Sequence, residues 1–255
     1  MMFCENSGDG QHLMCIECGQ SIEKLFKTFS NGASRIATCK HCKRDVDKYV
    51  EYDAMALFVD LLLLKATAYR HWLFNSQVNF HWRLAAICCL SDAYARHYNT
   101  NLLISGQHDY FKLELRYYYY FIISTILFIL TFQLMYHIVI YLPSVTSYKK
   151  RHKSIIIRGL LLANFGKLFI LCAAIWGRIP TSEYSDLELS TVYLYMVSLL
   201  VISSIAEAVM VLLQSSYAMA IVITLGIMAF KNAIGFVLEE VVPLKSFEDF
   251  MLSIS

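Results

Sequence analysis

Four thiols lie in two close pairs near the start of the chain: Cys15 and Cys18, then, after twenty intervening residues, Cys39 and Cys42. A C-x2-C turn sets two sulfurs on one side of a tight loop. Two such turns together complete a tetrahedron of thiolates about one zinc ion, with Zn–S near ~2.3 Å. Gly19 directly follows the first pair and supplies the positive backbone angle that such knuckles often use. Between the pairs, "KTFSNGASRI" carries Asn31-Gly32 flanked by strand-like residues, a hairpin signal that would return the second pair to the first. The expectation is a zinc ribbon holding one structural zinc; two disulfides or four unligated thiols are the competing readings. Four cysteines close such a site, whereas a catalytic zinc keeps an open position, so the module folds rather than catalyses. Cys4, His12 and His41 are read as bystanders.

The elements behind this module are of another kind. The chain has 255 residues, 57% hydrophobic and 16% charged, with a mean hydropathy of +0.49. Soluble domains run nearer ~45–50% apolar and ~25% charged, so a membrane protein is indicated. A net charge of +2 excludes a general nucleic-acid role. Three prolines and ten glycines favour long helices over a turn-rich β fold. Residues 1–116 hold 13 of the 22 Lys and Arg and 12 of the 20 Asp and Glu, which makes this the water-facing half. The first residues, "MMFCENSGDGQHLMC", lack a basic start and apolar core, so no cleaved leader is expected.

Residues 43–75, "KRDVDKYVEYDAMALFVDLLLLKATAYRHWLFN", join the two halves. Asp53 is placed to cap a helix beginning at Ala54. From Met55 to Leu64 that helix is apolar nearly all round, with Asp60 its one charge, and it is too short to span. It reads as interfacial, with Lys65, Tyr69, Arg70, His71 and Trp72 at headgroup level.

The two C-x2-C pairs, followed by "DKYVEYD" and "DLLLLKATAYRHWLFN", resemble the Arv homology domain over about residues 13–76. The spacer is slightly longer than the family's usual form, which changes the hairpin's length and not the ligand count. The resemblance implies that Cys15, Cys18, Cys39 and Cys42 are the zinc ligands. It also implies that Asp47, Tyr49, Asp53, Asp60, Lys65, Tyr69, Arg70, His71 and Asn75 belong to the family motif, and it brings no catalytic residue. Arv proteins are multi-pass membrane proteins of the endoplasmic reticulum, needed for normal sterol distribution, sphingolipid balance and glycosylphosphatidylinositol-anchor assembly.

The fold class expected is thus a small N-terminal β zinc ribbon (1–52), amphipathic or interfacial helices (53–116) and an α-helical polytopic membrane domain (117–255). About four spans are read: 117–142, 155–176, 192–213 and 217–238, the last two joined only by Gln214-Ser215-Ser216. Residues 77–111, interrupted by Arg83, Asp92 and Arg96, suit an interfacial helix better than a span; Cys88 and Cys89 are buried small residues or palmitoylation sites. Ionisable residues inside spans are costly, so Lys167, Glu207 and Lys231 should avoid lipid tails, either paired quietly or gathered in a polar cavity for a lipid headgroup. At ~1.5 Å rise per residue, Lys167 is the nearer candidate partner for Glu207. The linker "SYKKRHKSIIIR" concentrates Lys149, Lys150, Arg151, Lys153 and Arg158, which the positive-inside rule assigns to the cytosol. One span before it would put the ribbon in the lumen, whereas reduced thiolates favour the cytosol. An extra crossing before residue 117, or a re-entrant second span, reconciles the two, and a cytosolic ribbon is the reading taken.

Two functions follow from the resemblance: a non-enzymatic protein of intracellular sterol and lipid transport and homeostasis, or a scaffold for the anchor-synthesis glycosyltransferase complex with indirect lipid effects. The partners implied are membrane lipids (sterol and anchor-lipid intermediates) and, for the scaffold, transferase subunits. An acyltransferase would want His and Asp spaced H-x4-D, which is absent, and a RING ligase would need eight ligands for two zincs.

Overall fold

A computed structural model describes residues 13–29, 33–76, 81–103, 110–141, 153–170, 185–243 and 247. The N-terminal module is built from two small antiparallel sheets. Strand β1 (Leu13–Met14) pairs with β2 (Ser21–Ile22), and β3 (Phe26–Thr28) pairs with β4 (Ser34–Ile36). In the second sheet Phe26 faces Ile36 and Thr28 faces Ser34, the register expected of a hairpin; its tip, with Asn31-Gly32, lies outside the described residues. A further bridge joins Thr38 to Asp45. Leu13, Leu25 and Val46 pack with Cys15 and Cys39 as the module's own small core.

Alternation along β1 sends the next side chain the other way. Met14 and Ile16 leave the ribbon and join a larger core shared with Tyr69, Leu73, Val209 and Leu212. The ribbon is therefore seated on the helices rather than tethered to them.

Helix α1 (Ala54–Leu62) follows a 3₁₀ turn at Lys48–Val50. Asp53 occupies its N-cap position but makes no side-chain cap; its carbonyl takes the amides of Ala56 and Leu57 instead. Leu57 and Leu61 face the core, while Met55, Phe58, Val59 and Leu63 are exposed, the arrangement of an interfacial helix. Helix α2 (Ala66–Arg70) runs into a π turn at His71–Asn75.

Among the described residues the longer helices of the rest are α3 (His81–Leu103), α4 (Tyr110–Tyr141), α5 (Lys153–Ala163), α6 (Ser185–Leu213) and α7 (Tyr217–Val241). Among the described residues three segments are long and apolar enough to cross a membrane: Leu115–Val139, Tyr195–Leu213 and Tyr217–Val241. These correspond to the first, third and fourth spans read from sequence. The second differs. Helix α5 ends at Ala163, the chain tightens into a 3₁₀ turn at Phe165–Lys167, and 171–176 lies outside the described residues. The linker residues 142–152 lie outside them as well.

Helix α3, read from sequence as amphipathic or interfacial, buries one of its faces in the bundle. It packs along α4, with Ala93 buried against Tyr119, Tyr120, Ile123 and Leu127, and both Cys88 and Cys89 are buried. Its charges are matched inside the bundle: Arg96 bonds Glu239 at 2.8 Å, and Asp92 bonds two lysines. Interior pairing explains why hydropathy alone places this helix at the surface. Helices α5 and α6 touch at Gly159, where a Cβ would lie 2.6 Å from Leu212 Cδ1. The turn between α6 and α7 is capped by Ser216, and Gln214 Nε2 donates to the carbonyl of Gly19 at 3.2 Å. That turn therefore meets the ribbon.

Candidate metal centre and its anchorage

Backbone hydrogen bonds bend each C-x2-C pair into the same shape. Gly19 N–H returns to the Cys15 carbonyl at 2.9 Å, and Lys43 N–H to the Cys39 carbonyl at 3.1 Å. Both closing residues are left-handed, Gly19 at φ +72 and Lys43 at φ +62. Glycine takes that angle freely; Lys43 bears a Cβ penalty of ~1–2 kcal/mol that the knuckle must offset.

The turns aim all four sulfurs inward, within 4.8 Å of one another. Cys15 Sγ lies 3.8 Å from Cys42 Sγ, and Cys18 Sγ lies 3.7 Å from Cys39 Sγ. A regular tetrahedron with bonds of ~2.3 Å has edges of ~3.8 Å, so the cluster fits a zinc ion. None of the four is joined in a disulfide. Amide N–H groups of Cys42 and His41 point at Cys39 and lower its thiol to about 7. Burial pushes Cys15 up to about 12, against the pull of the Cys18 and Glu17 amides. His41 is exposed at the surface, and Cys4 and His12 lie outside the described residues.

The motif residues clamp the first knuckle. Asn75 acts as a substitute strand, its Nδ2 donating to Met14 O at 2.9 Å and its Oδ1 accepting from Met14 N at 3.0 Å. Arg70 donates to the carbonyls of Ile16 and Glu17 at 2.7 and 2.9 Å. At the centre sits Asp47, which accepts from Tyr49 N–H, His71 Nδ1–H and Asn75 Nδ2–H. Tyr49 donates to Asp60 at 2.7 Å, and Lys65 donates to the other oxygen of Asp60 at 2.6 Å. Tyr69 carries the clamp into the bundle: its hydroxyl lies 2.9 Å from Ser204 Oγ on α6, and burial pushes its phenol up to about 12. Asp53 takes no part beyond its backbone carbonyl.

The intramembrane residues are brought together only in part. Lys167 and Lys231 meet, each bonded to one oxygen of Asp92, at 2.9 and 2.7 Å. Glu207 does not join them. It is buried on α6, where its electrostatic neighbour is Arg70 of the clamp, so the Glu207–Lys167 pairing suggested by depth is replaced by Asp92–Lys167. Asp92 was the missing member of the set, and its signal was present: one acid among the apolar residues of α3, facing two lysines that needed a counter-charge.

A family model, the Arv1-like family, matches residues 14–209. The human Protein ARV1 is 35% identical over 178 residues, 66% of this chain and 64% of the relative. The mouse Protein ARV1 is 28% identical over 218 residues, 83% of this chain and 78% of the relative. The Saccharomyces cerevisiae Protein ARV1 is 47% identical over 64 residues, 25% of this chain and 20% of the relative. The chain thus spans just under two thirds of the human relative's length, and 59% of the bovine one. No solved structure matches significantly.

Proposed function

The chain belongs to the Arv1-like family, and on that footing we propose that it is a non-enzymatic endoplasmic-reticulum membrane protein of intracellular sterol and lipid transport and homeostasis. Sphingolipid balance and glycosylphosphatidylinositol-anchor synthesis belong to the same role. The observation that carries the reading is the joining of a four-cysteine ribbon, through the Asp47–Arg70–Asn75 clamp, to a bundle whose outer faces are apolar. Ile122, Ile126 and Ile129 on α4 and Met219, Val222 and Leu225 on α7 are exposed in rows suited to lipid tails.

In this reading Cys15, Cys18, Cys39 and Cys42 hold one structural zinc, which contributes folding free energy to the ribbon when bound. The ribbon is cytosolic. Met135 and Val139, near the end of α4, pack in the core that also contains Met14 and Ile16, and Ile155 and Ile156, near the start of α5, share it. Gly159 of α5 packs on Leu212 beside the turn whose Gln214 meets Gly19 of the ribbon, so the link before α5 ends on the ribbon's side, and that link carries Lys149, Lys150 and Arg151. With α3 crossing as well as α4, ribbon and basic link share one side, and the positive-inside rule assigns that side to the cytosol. The conflict between charge and thiol chemistry then disappears.

Purified full-length chain should accelerate transfer of a fluorescent sterol or phospholipid between donor and acceptor vesicles. Transfer no faster than the protein-free rate, with zinc bound and the fold intact, would sink the transport reading.

A further inference from the structure

Two cations and one anion meet inside the bundle. Asp92 comes from α3, Lys167 from the 3₁₀ turn after α5, and Lys231 from α7, with side-chain exposures of 17%, 9% and 18%. One lysine would balance Asp92. The second, when protonated, leaves a surplus positive charge among apolar walls, an arrangement that a further anion would stabilise. Among the described residues no other anion serves: Glu239 is matched by Arg96, one turn along α3 from Asp92, and Glu207 is not among the residues around this cavity.

The surroundings supply what an anion needs. A cavity of about 40 Å³ opens beside the triad, walled by Phe128, Leu160, Val209 and Met228. Ser124 on α4 lines the same cavity; it is 1% exposed, and its hydroxyl has no hydrogen-bond partner among the described residues. A buried hydroxyl without a partner is itself costly. Each ammonium carries three N–H donors and spends one on Asp92, so donors remain on both lysines as well as on Ser124. The space suits about three oxygen-sized atoms, since a water needs ~10–15 Å³ measured this way. Oxygens can enter while the remainder of a ligand stays against the apolar walls.

We propose that Lys167, Lys231 and Ser124 form an oxyanion site within the membrane bundle, which takes the phosphate oxygens of an acidic lipid headgroup or of free phosphate, with Asp92 as the built-in competitor that holds the two ammoniums in place. The proposal rests on the lipid-handling reading and narrows it to head groups of net negative charge.

The test uses full-length chain extracted in neutral detergent and offered equal amounts of dioleoylphosphatidic acid and dioleoylphosphatidylcholine, with retained lipid read by native mass spectrometry. Preference for the acidic lipid should be at least tenfold. Lys231→Met should abolish it, and Ser124→Ala, a change too small to unfold the bundle, should reduce it severalfold. Asp92→Asn should raise it, because the competing charge is gone while the side-chain shape remains. A triad that is only structural would give no gain with Asp92→Asn. Displacement of the lipid by millimolar inorganic phosphate would identify free phosphate as a ligand of the site; resistance to phosphate would assign it to the lipid. Equal retention of both lipids by wild type and variants overturns the oxyanion site while leaving lipid handling intact. Failure to retain or transfer any lipid overturns both.

Discussion

Asp47 and His71 are joined carboxylate to Nδ1 at 2.7 Å, with side-chain exposures of 0% and 4%. A carboxylate only accepts, so the histidine donates from Nδ1. The same Asp47 oxygen also takes Asn75 Nδ2 at 2.6 Å, and Asn75 in turn pairs with both backbone groups of Met14, one residue before the first cysteine of the cluster. One buried acid thus sets the position of the ribbon on the helices.

Asp47→Ala should therefore detach the ribbon rather than trim the surface. It removes the shared acceptor of His71, Asn75 and the Tyr49 amide, and removing one partner of a buried charged network costs about 3–5 kcal/mol. Limited proteolysis checks this: cleavage between residues 43 and 76 should appear in the variant at protease levels that leave wild type intact. Equal protection would show that the clamp is redundant.

Cys39→Ser should lower both bound zinc and steady-state abundance, because structural zinc contributes folding free energy directly. Metal analysis of purified protein and immunoblotting of membranes report the two quantities. Unchanged abundance with full zinc content would contradict the four-thiol site.

The acid limb of stability has one clear contributor outside the spans. The Lys65 ammonium first, and the Tyr49 hydroxyl with it, hold the Asp60 carboxyl below the usual carboxylate range, against burial, which raises it. A carboxyl depressed in the folded state gives stability that is present above its unfolded value near ~3.9 and lost as pH falls through the folded one. Lys65 is half exposed, so the pair contributes at most about 1 kcal/mol. Lys65→Met should lower the melting temperature slightly at pH 7 and leave the difference smaller at pH 3. A difference that grows on acidification would reverse the assignment.

Much of this was legible beforehand, and the reasons differ by element. The cysteine spacing and the strand-like residues around Asn31-Gly32 act locally, so the knuckles and the β3–β4 register follow from short stretches. The apolar length of α4, α6 and α7 likewise needs no partner to be read. Asn75 and Arg70 could be named as motif members, but their contacts to Met14, Ile16 and Glu17 cross more than fifty residues, which no local pattern encodes. The partners of Asp92 and Arg96 on helix α3 were not legible, because hydropathy counts them as exposed charges whereas the structure pairs them with Lys167, Lys231 and Glu239. Glu207 was given the wrong partner for the same reason: depth along a helix does not say which face it presents.

If α3 and α4 both cross, a glycosylation-acceptor loop inserted within 104–109 should be modified in microsomes, and the same loop within 142–152 should not. Modification at 142–152 would place the ribbon in the lumen and undo the orientation argued from Gly159, Gln214 and the basic link.

The most direct measurement is a native mass spectrum of the full-length chain drawn gently from membranes. The account predicts one zinc per chain together with a defined co-purifying lipid. Zinc with transferase subunits and no specific lipid would contradict lipid carriage and favour the scaffold, and a chain without zinc would contradict the account at its four cysteines.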